Sequence, residues 1–413
     1  MIIEYYTAKS LIRTSVPGIF SWSEAYLNPY QGCYHDCKYC DGKSEGYYMH
    51  QDFAERIRVK VNAPQLLEQF LRKKGFIPLG REKTSTLIDF IPSLKTHIKQ
   101  PQKFILYIGG GVCDVYQPAE DQVKITQKLL QVSHDYAFPV SILTKNILVL
   151  RDLDILQKIN EDSYASVSFT ITLADEKTQK IFEPHASTTQ ERFEAIRILR
   201  EHRIHSGVYF YPVLPFIGDT EENMSSIYEQ AKRAGAEFVY CWGLTLKPGR
   251  SKQDFLETVE INFPSLFGKY EKLYGNNNKY GNPDTEQFRK MGLQLPEIKG
   301  FKLGYEHGIP YTAPRYIPDG CVKMNVQVSE VLTKIAYIKG CLLHEAQAEV
   351  RHLRQASRFL ETYKKDISEI EREEFENLPI AKEVHPYILE FVRETRSNYL
   401  AELEEEAYKR QHK

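Results

Sequence analysis

Three cysteines lie within one short run, CYHDCKYC, at residues 33–40. Because the cysteines are separated by three and two residues, one loop can direct all three sulfurs at a single metal centre without long-range folding. A structural zinc site normally closes with four ligands, so three clustered cysteines without an obvious fourth ligand indicate a metal centre with an open coordination position. An open position of this kind is where a metal centre can bind a small molecule and change it chemically.

Other interpretations of the cysteines stay open at this point. His35 or Asp41 could complete a zinc site, although both are so close to the cysteines that a tetrahedral arrangement would be strained. A disulfide framework is disfavoured because seven cysteines is an odd number and no signal peptide is apparent. We therefore expect a cytoplasmic protein with reduced thiols. The scattered positions of the other four argue against a second iron–sulfur cluster; these are Cys113, Cys241, Cys321 and Cys341.

The overall composition is ordinary for a globular protein. Of the 413 residues, 26% are charged and 42% are hydrophobic. No apolar run approaches the ~18 residues that span a bilayer, so we expect a soluble chain without a membrane partner. The net charge of −1 provides no global basic field, which restricts nucleic-acid binding to a local groove if it occurs at all.

Alternating strand and helix patterns between residues 24 and 242 would position the cysteines. Short β-branched or aromatic runs predict strands at residues 24–27, 104–108, 140–143, 165–171, 207–211 and 237–241. Apolar residues at three-to-four spacing predict helices at residues 64–73, 118–133, 152–158, 189–201 and 221–234. Such alternation predicts an α/β fold with a parallel sheet and crossover helices. The cysteines follow its first strand.

The pattern divides the chain into segments. We expect an N-terminal segment at 1–23, a barrel domain at 24–245, an irregular, loop-rich extension at 246–325 that closes the barrel mouth, and a helical appendage at 326–413. The extension contains loop-forming residues at 276–278 and 281–283 and three prolines between 310 and 318. Beyond residue 325, apolar residues at heptad-like spacing predict helices that pack against the rest of the chain.

The spacing C-x3-C-x2-C resembles the signature of the radical S-adenosylmethionine superfamily. The resemblance implies a partial (βα)6 barrel, in agreement with the six predicted strands. It also implies that Cys33, Cys37 and Cys40 hold three irons of a [4Fe-4S] cluster, whose fourth iron is chelated by S-adenosylmethionine. An electron from the reduced cluster would cleave the sulfonium and produce a 5'-deoxyadenosyl radical. Active sites of βα barrels lie at the C-terminal ends of the strands, where the cysteine loop is expected.

Further motifs, over about residues 22–250, resemble one branch of that superfamily, the relatives of spore photoproduct lyase. They are LNPYQGC at 27–33, CDVYQP at 113–118, LTKN at 143–146 and FTIT at 169–172. A glycine run closes the second predicted strand, where the superfamily presents backbone carbonyls to the amino group of S-adenosylmethionine; the run is Gly109, Gly110 and Gly111.

The same resemblance implies roles for single side chains. Lys145 would pair with the carboxylate of S-adenosylmethionine, Thr170 would lie near its ribose or methionine portion, and Tyr39 would pack beside its adenine. Asp114 is a further candidate for the cofactor pocket. Glu183 and Arg192 suit either a supporting role near the substrate or a buried structural ion pair.

The chain departs from spore photoproduct lyase at two positions. That branch has a tyrosine after the third cysteine and a hydrogen-donating cysteine at the end of its second strand, whereas this chain has Asp41 and Gly111. Cys113 comes two residues later and would face the same side of an extended strand, which makes it a candidate hydrogen donor. The resemblance therefore includes the residues expected to generate the radical, but not the tyrosine and the hydrogen-donating cysteine expected to quench it.

These observations predict an enzyme that reductively cleaves S-adenosylmethionine and abstracts hydrogen from a substrate, with a flavodoxin or ferredoxin as reductant. Nucleic acid is one candidate substrate, because the named relative acts on DNA and residues 243–323 contain tyrosines among basic residues. Radical modification of a peptide or small metabolite is a second interpretation, and a non-catalytic iron–sulfur or zinc module is a third. Kinship of fold does not transfer a substrate.

Overall fold

A computed structural model of the chain describes residues 1–80, 101–109, 112–276, 278–345 and 347–411. The strands within these residues are β1 (Ile2–Tyr6), β2 (Ile12–Thr14), β3 (Ala25–Leu27), β4 (Tyr30–Gln31), β5 (Arg56–Lys60), β6 (Leu106–Ile108), β7 (Val140–Thr144), β8 (Ala165–Thr170), β9 (Val208–Val213) and β10 (Val239–Gly243). They form a seven-stranded sheet in the order β10-β9-β8-β7-β6-β3-β2 and a three-stranded sheet in the order β1-β5-β4.

Six neighbouring strands of the large sheet are parallel, from β3 through β6, β7, β8 and β9 to β10. All six residues of β8 are buried, as expected for a central parallel strand that is covered on both faces. The six-stranded parallel arrangement predicted from the sequence is confirmed. Strand limits differ from the predicted ones by up to two residues.

The first 23 residues contribute a strand to each sheet. β1 pairs in parallel with β5, and β4 pairs antiparallel with the other edge of β5. β2 lies antiparallel to β3 and forms one edge of the large sheet. The cysteines therefore follow β3 of the large sheet and β4 of the small sheet along the chain.

Helices follow the parallel strands. Those in the barrel are α1 (Ala63–Lys73), α2 (Ala119–Val123), α3 (Ile125–Asp135), α4 (Leu153–Asp162), α5 (Glu176–Phe182), α6 (Thr189–Glu201) and α7 (Glu221–Arg233). The single helix expected at 118–133 is wrong, because Lys124 adopts a left-handed conformation with φ of 54° and divides it. The buried carboxylate of Glu120 accepts hydrogen bonds from the backbone of Ile125 and Thr126 at the start of α3, which explains the break.

The irregular character expected for residues 246–325 is also wrong. This part contains α8 (Arg250–Asn262), α9 (Pro264–Tyr274), α10 (Thr285–Lys290) and α11 (Pro296–His307). Pro264 and Pro296 stand at the first position of their helices. Proline is well tolerated there because the first backbone N–H has no partner within the helix.

The C-terminal part is helical, as expected, with α12 (Lys323–Tyr337), α13 (Gln347–Thr362), α14 (Arg372–Glu376), α15 (His385–Glu394) and α16 (Asn398–Arg410). These helices share one apolar core with Ile298 and Phe301 of α11. A separate and larger core fills the space between the parallel strands and the barrel helices. Among the described residues, no helix is both long and apolar enough to cross a membrane.

Candidate active site

The cysteine loop is held in place by hydrogen bonds from distant segments. The Gln117 side chain donates to the Gly32 carbonyl at 2.9 Å and accepts from the Tyr34 amide at 2.9 Å. The Lys38 amide donates to the Phe182 carbonyl at 2.8 Å. Gly32 has φ of 90°, and a Cβ there would lie 2.4 Å from the Arg56 carbonyl oxygen, so only glycine fits.

The three cysteines line one cavity of about 260 Å3 at the C-terminal ends of the parallel strands. Cys33 and Cys37 are buried, and Cys40 is half-buried. Burial raises the pKa of all three thiols, that of Cys37 to about 12. Metal binding would have to displace these protons, as is normal for thiolate ligands.

The donor set of three thiols around one cavity suits an iron–sulfur cluster. Among the described residues, no three His, Cys, Asp or Glu side chains are arranged to hold one metal ion as they stand. Cys33, Cys37 and Cys40 nevertheless open on the same cavity. Three thiols around one cavity suit a cluster of several metal atoms, in which each of three metal atoms binds one cysteine sulfur.

Lys145 enters this cavity from the end of β7. Its ammonium lies 5.7 Å from the centre of the Tyr39 ring. Among the described residues, no carboxylate lies within ion-pair distance of that ammonium. Burial lowers the pKa of Lys145, but Cys37 and Glu183 raise it by more, so the side chain is a cation without a contacting anion.

Asp114 organises the backbone beside Lys145. Its Oδ2 accepts from the Lys145 amide at 2.7 Å and faces His35 Nε2 at 3.3 Å. Its Oδ1 accepts from the Tyr116 amide and the Thr144 hydroxyl, both at 2.8 Å. Burial alone would raise the pKa of Asp114, but His35 and these donors lower it to about 2. The structure thus brings Asp114 to the cavity with protein partners at both oxygens.

Glu183 and Arg192 form a fully buried ion pair behind the same cavity. The Tyr39 hydroxyl donates to Glu183, and Arg192 Nη1 donates to the Thr170 carbonyl at 2.8 Å. Burial would raise the pKa of Glu183, but Arg192 and Lys145 lower it to about 2. The pair thereby fixes two residues, Tyr39 and Thr170, that line the cavity.

The glycine run is described only in part. Gly109 lines the cavity, has φ of 113°, and donates its amide to the Leu27 carbonyl at 2.9 Å. A Cβ at this position would meet only ordinary contacts, so the backbone conformation and not the space favours glycine. Gly110 and Gly111 lie outside the described residues.

Cys113 is buried and also lines the cavity. The Asn28 side-chain amide donates to its backbone carbonyl at 2.6 Å. Burial, with a contribution from Cys40, raises the pKa of Cys113 to about 12, which keeps it a thiol. All the described candidates therefore meet in one place: Cys33, Cys37, Tyr39, Cys40, Gly109, Cys113, Asp114, Lys145 and Thr170.

Sequence reasoning missed several supporting residues. His35 was considered only as a zinc ligand, yet its Nδ1 lies 3.0 Å from the His185 carbonyl and its Nε2 faces Asp114. Lys43 is buried between Asp36 at 2.5 Å and Asp254 at 2.6 Å, which anchors the segment after the cysteines to α8. Position inside or beside the cysteine run is the only local signal that these residues offer.

Comparison with known proteins gives one family. Residues 27–231 match the model described as the Radical SAM superfamily. An uncharacterized protein of Mycobacterium bovis is 27% identical over 285 residues, which cover 68% of this chain and 75% of that protein. An uncharacterized protein of Methanocaldococcus jannaschii is 27% identical over 267 residues, which cover 64% of this chain and 85% of that protein.

Solved structures give a weaker likeness. A spore photoproduct lyase mutant with bound AdoMet and dinucleoside spore photoproduct is 15% identical, with a TM-score of 0.47 over 70% of this chain and 76% of that chain. A second mutant of the same enzyme is 16% identical, with a TM-score of 0.46 and the same coverage.

Proposed function

We propose that this chain, which belongs to the Radical SAM superfamily through residues 27–231, is an enzyme that binds a [4Fe-4S] cluster and S-adenosylmethionine in the 260 Å3 cavity. When bound, the cluster supplies the electron that cleaves S-adenosylmethionine reductively, which permits hydrogen abstraction from a substrate. Cys33, Cys37 and Cys40 would hold the cluster. The remaining wall of the cavity would hold S-adenosylmethionine.

One observation carries this proposal. The cavity joins three thiols to the Lys145 ammonium, which has no carboxylate within ion-pair distance among the described residues. A cation kept in a half-buried site without an anion suits a ligand carboxylate, and charge-assisted hydrogen bonds of this kind are among the stronger ones. Lys145 would therefore bind the carboxylate of S-adenosylmethionine.

The two buried acids set the geometry of that wall. Asp114 holds the Lys145 backbone, and Glu183 with Arg192 holds Tyr39 and Thr170. Side chains fixed in this way orient a ligand at a low entropic cost. Tyr39 would contact the adenine and Thr170 the ribose or methionine portion, while the backbone at Gly109 would face the amino group.

Cys113 is the candidate hydrogen donor. It lines the cavity and is buried, and its raised pKa keeps the sulfur protonated. A hydrogen atom can be given only by a thiol and not by a thiolate. After reduction of the cluster by a flavodoxin or ferredoxin, Cys113 would therefore donate the hydrogen atom of its S–H bond to a carbon-centred radical on the substrate and itself become a thiyl radical.

The proposed substrate class is nucleic acid or, alternatively, a peptide or small metabolite. Nucleic acid is the candidate that the relatives of spore photoproduct lyase suggest, and a peptide or small metabolite is the alternative. The decisive measurement is salt dependence of oligonucleotide binding, because contacts to phosphates lose affinity steeply as salt rises. Binding that does not change with salt would favour the alternative.

Anaerobic reconstitution tests the enzyme activity itself. The reconstituted chain should bind four irons and, after dithionite reduction, release 5'-deoxyadenosine from S-adenosylmethionine. Four bound irons without formation of 5'-deoxyadenosine would indicate an iron–sulfur binding module that has no catalytic activity. Zinc bound in place of iron under the same conditions would favour the zinc interpretation.

A pair of cysteine variants tests the ligand assignment. Cys37→Ala should abolish both the cluster absorbance and 5'-deoxyadenosine formation. Cys341→Ala is the matched control, because Cys341 is half-buried in the C-terminal helices and does not line the cavity. Equal loss in the two variants would contradict the assignment of Cys37.

A further inference from the structure

A second cavity, of about 450 Å3, lies beside the first. Its walls come from β2 and β3 at the edge of the large sheet and from β4 and the end of β5 in the small sheet. Arg13, Thr14 and Ser15 are exposed at its rim, whereas Tyr30 and Cys113 are buried at its base. A cavity of this size is in the range that holds a metabolite-sized molecule.

The two cavities share part of their walls. Tyr26, Tyr47, Val112 and Cys113 line both of them. A molecule in the second cavity and a molecule in the first would therefore contact the same four residues. Cys113 is one of these shared residues, so it could contact a ligand in either cavity.

The charged side chains that line the second cavity are all basic. Its lining includes two cations, Arg13 and Lys60, and no aspartate or glutamate. Among the described residues, neither cation has a carboxylate within ion-pair distance, in contrast to Arg58 on the same strand as Lys60, which lies 3.7 Å from Glu4. Burial lowers the pKa of Lys60, as expected for a cation without an anion.

Lys60 is also connected to Cys113. Its ammonium donates to the Asn28 backbone carbonyl at 2.8 Å, and the Asn28 side chain donates to the Cys113 carbonyl at 2.6 Å. A lysine ammonium has three donors, so two stay available for a ligand. An anion bound by Lys60 would lie in the cavity that Cys113 also lines.

We infer that the second cavity is the substrate site, and that it takes an organic anion whose phosphate or carboxylate group is bound by Arg13 and Lys60 and whose remainder lies against Cys113. This inference rests on the proposed function for the identity of the occupant as substrate. The binding site itself depends only on the arrangement of Arg13, Lys60 and Cys113. Its charge excludes cationic substrates, because two unpaired cations would repel them.

Alkylation of Cys113 tests the charge of the cavity directly. The cluster-loaded chain, with S-adenosylmethionine present, is treated with iodoacetate or with the neutral, nearly isosteric iodoacetamide. The tryptic peptide 104–124 contains Cys113 as its only cysteine, so its labelling can be read by mass spectrometry. The ratio of the two rates cancels differences in thiol acidity, and the same ratio at the half-buried Cys321 is the internal reference.

The cations should favour iodoacetate at Cys113 by about tenfold over the reference ratio. Lys60→Gln and Arg13→Gln should each remove most of this preference, while Arg58→Gln, a loss of the same charge from an ion-paired residue, should preserve it. A ratio at Cys113 equal to that at Cys321 would overturn the inference. So would a failure of iodoacetamide to reach Cys113, because the cavity would then not lead to the thiol.

Protection by small anions identifies the anionic group. Phenyl phosphate and benzoate, compared with neutral benzamide, are tested for slowing the reaction of Cys113 with iodoacetamide. Stronger protection by phenyl phosphate indicates a phosphate-bearing substrate, and stronger protection by benzoate a carboxylate. Absence of protection by both, or equal protection by benzamide, would contradict an anion site. Labelling is scored without turnover, so these failures are separate from a failure to form 5'-deoxyadenosine.

Discussion

Buried carboxylates occur in and directly behind the wall of the cysteine cavity, and also at the junction between β10 and the C-terminal helices. Of these two groups, only the carboxylates at the cavity wall face a basic side chain. Asp114 lies 3.3 Å from His35, and Glu183 is paired with Arg192. At the junction, Glu297 of α11 accepts one hydrogen bond, from the Gly243 amide at 3.2 Å, and its Oε2 has no hydrogen-bond partner among the described residues.

The comparison distinguishes buried carboxylates that hold residues of a site in place from a buried carboxylate that has no such role. Asp114 holds Lys145, Glu183 holds Tyr39, and Arg192, the partner of Glu183, holds Thr170; all three held residues line the cavity. Glu297 lines neither of the two cavities described above. Charge burial is costly, and it is repaid only where partners satisfy the ion. The cavity wall meets that condition and the junction does not.

Removal of Arg192, the cation paired with Glu183 behind the cavity wall, should have the largest effect. Arg192→Met leaves Glu183 buried without its partner, which should lower the free energy of unfolding by about 3–5 kcal/mol. Denaturant unfolding of the cluster-free full-length chain measures the change. Arg197→Met, on the same helix but exposed and paired with exposed glutamates, should change it by less than about 1 kcal/mol. Similar losses in both variants would break the comparison.

Acid should act on the same pair. The pKa of Glu183 is about 2 in the folded chain against an ordinary value of 4.5, so its contribution to stability is present above pH 4.5 and is lost as pH falls toward 2. The loss should be roughly 2–3 kcal/mol. Unfolding measured between pH 5 and pH 3 should show a steeper decline for the wild type than for Glu183→Gln. Parallel declines would show that this carboxylate has an ordinary pKa in the folded chain.

The Asp114 side of the wall should be less sensitive. In Asp114→Asn the amide oxygen can still accept two hydrogen bonds, but the amide nitrogen would face the Lys145 backbone N–H or another donor. An unsatisfied buried donor should cost about 2 kcal/mol. Equilibrium dialysis should also show weaker binding of S-adenosylmethionine, because the Lys145 backbone loses its acceptor. Unchanged binding with reduced stability would make Asp114 purely structural.

The extent to which the sequence predicts this site differs between its parts. The cysteine loop and the six strands have local signals: spacing in one case, short apolar runs between helices in the other. Lys145 and Thr170 could be proposed only through the resemblance to the radical S-adenosylmethionine superfamily, although Lys145 also follows a recognisable strand. His35 and Lys60 offer no such signal, since their partners, Asp114 and the Asn28–Cys113 pair, come from distant parts of the chain.

The helices of residues 246–325 were missed for another reason. The loop signals at 276–278, 281–283 and 310–318 cover only part of this stretch, and Pro264 and Pro296, which lie outside them, begin helices. A proline at the first helical position and a proline in a loop have the same local sequence signal, and only packing against the rest of the chain distinguishes them. The core that α11 shares with the C-terminal helices is such packing.

The smallest effect should come from the junction, and with the opposite sign. Burial raises the pKa of Glu297 above its usual value, so ionisation costs more in the folded chain than in the unfolded one. This cost is absent below pH 4.5 and grows as pH rises toward the pKa of the folded state. Glu297→Gln keeps an oxygen for the Gly243 amide and removes the charge. It should therefore stabilise the chain by about 1 kcal/mol at pH 8 and leave it unchanged at pH 4.

The control Glu286→Gln, at an exposed position on α10 beside Lys290, should give no gain at either pH. A loss of stability in Glu297→Gln at pH 8 would mean that an anion at the junction is satisfied after all, and the contrast with the cavity wall would then disappear.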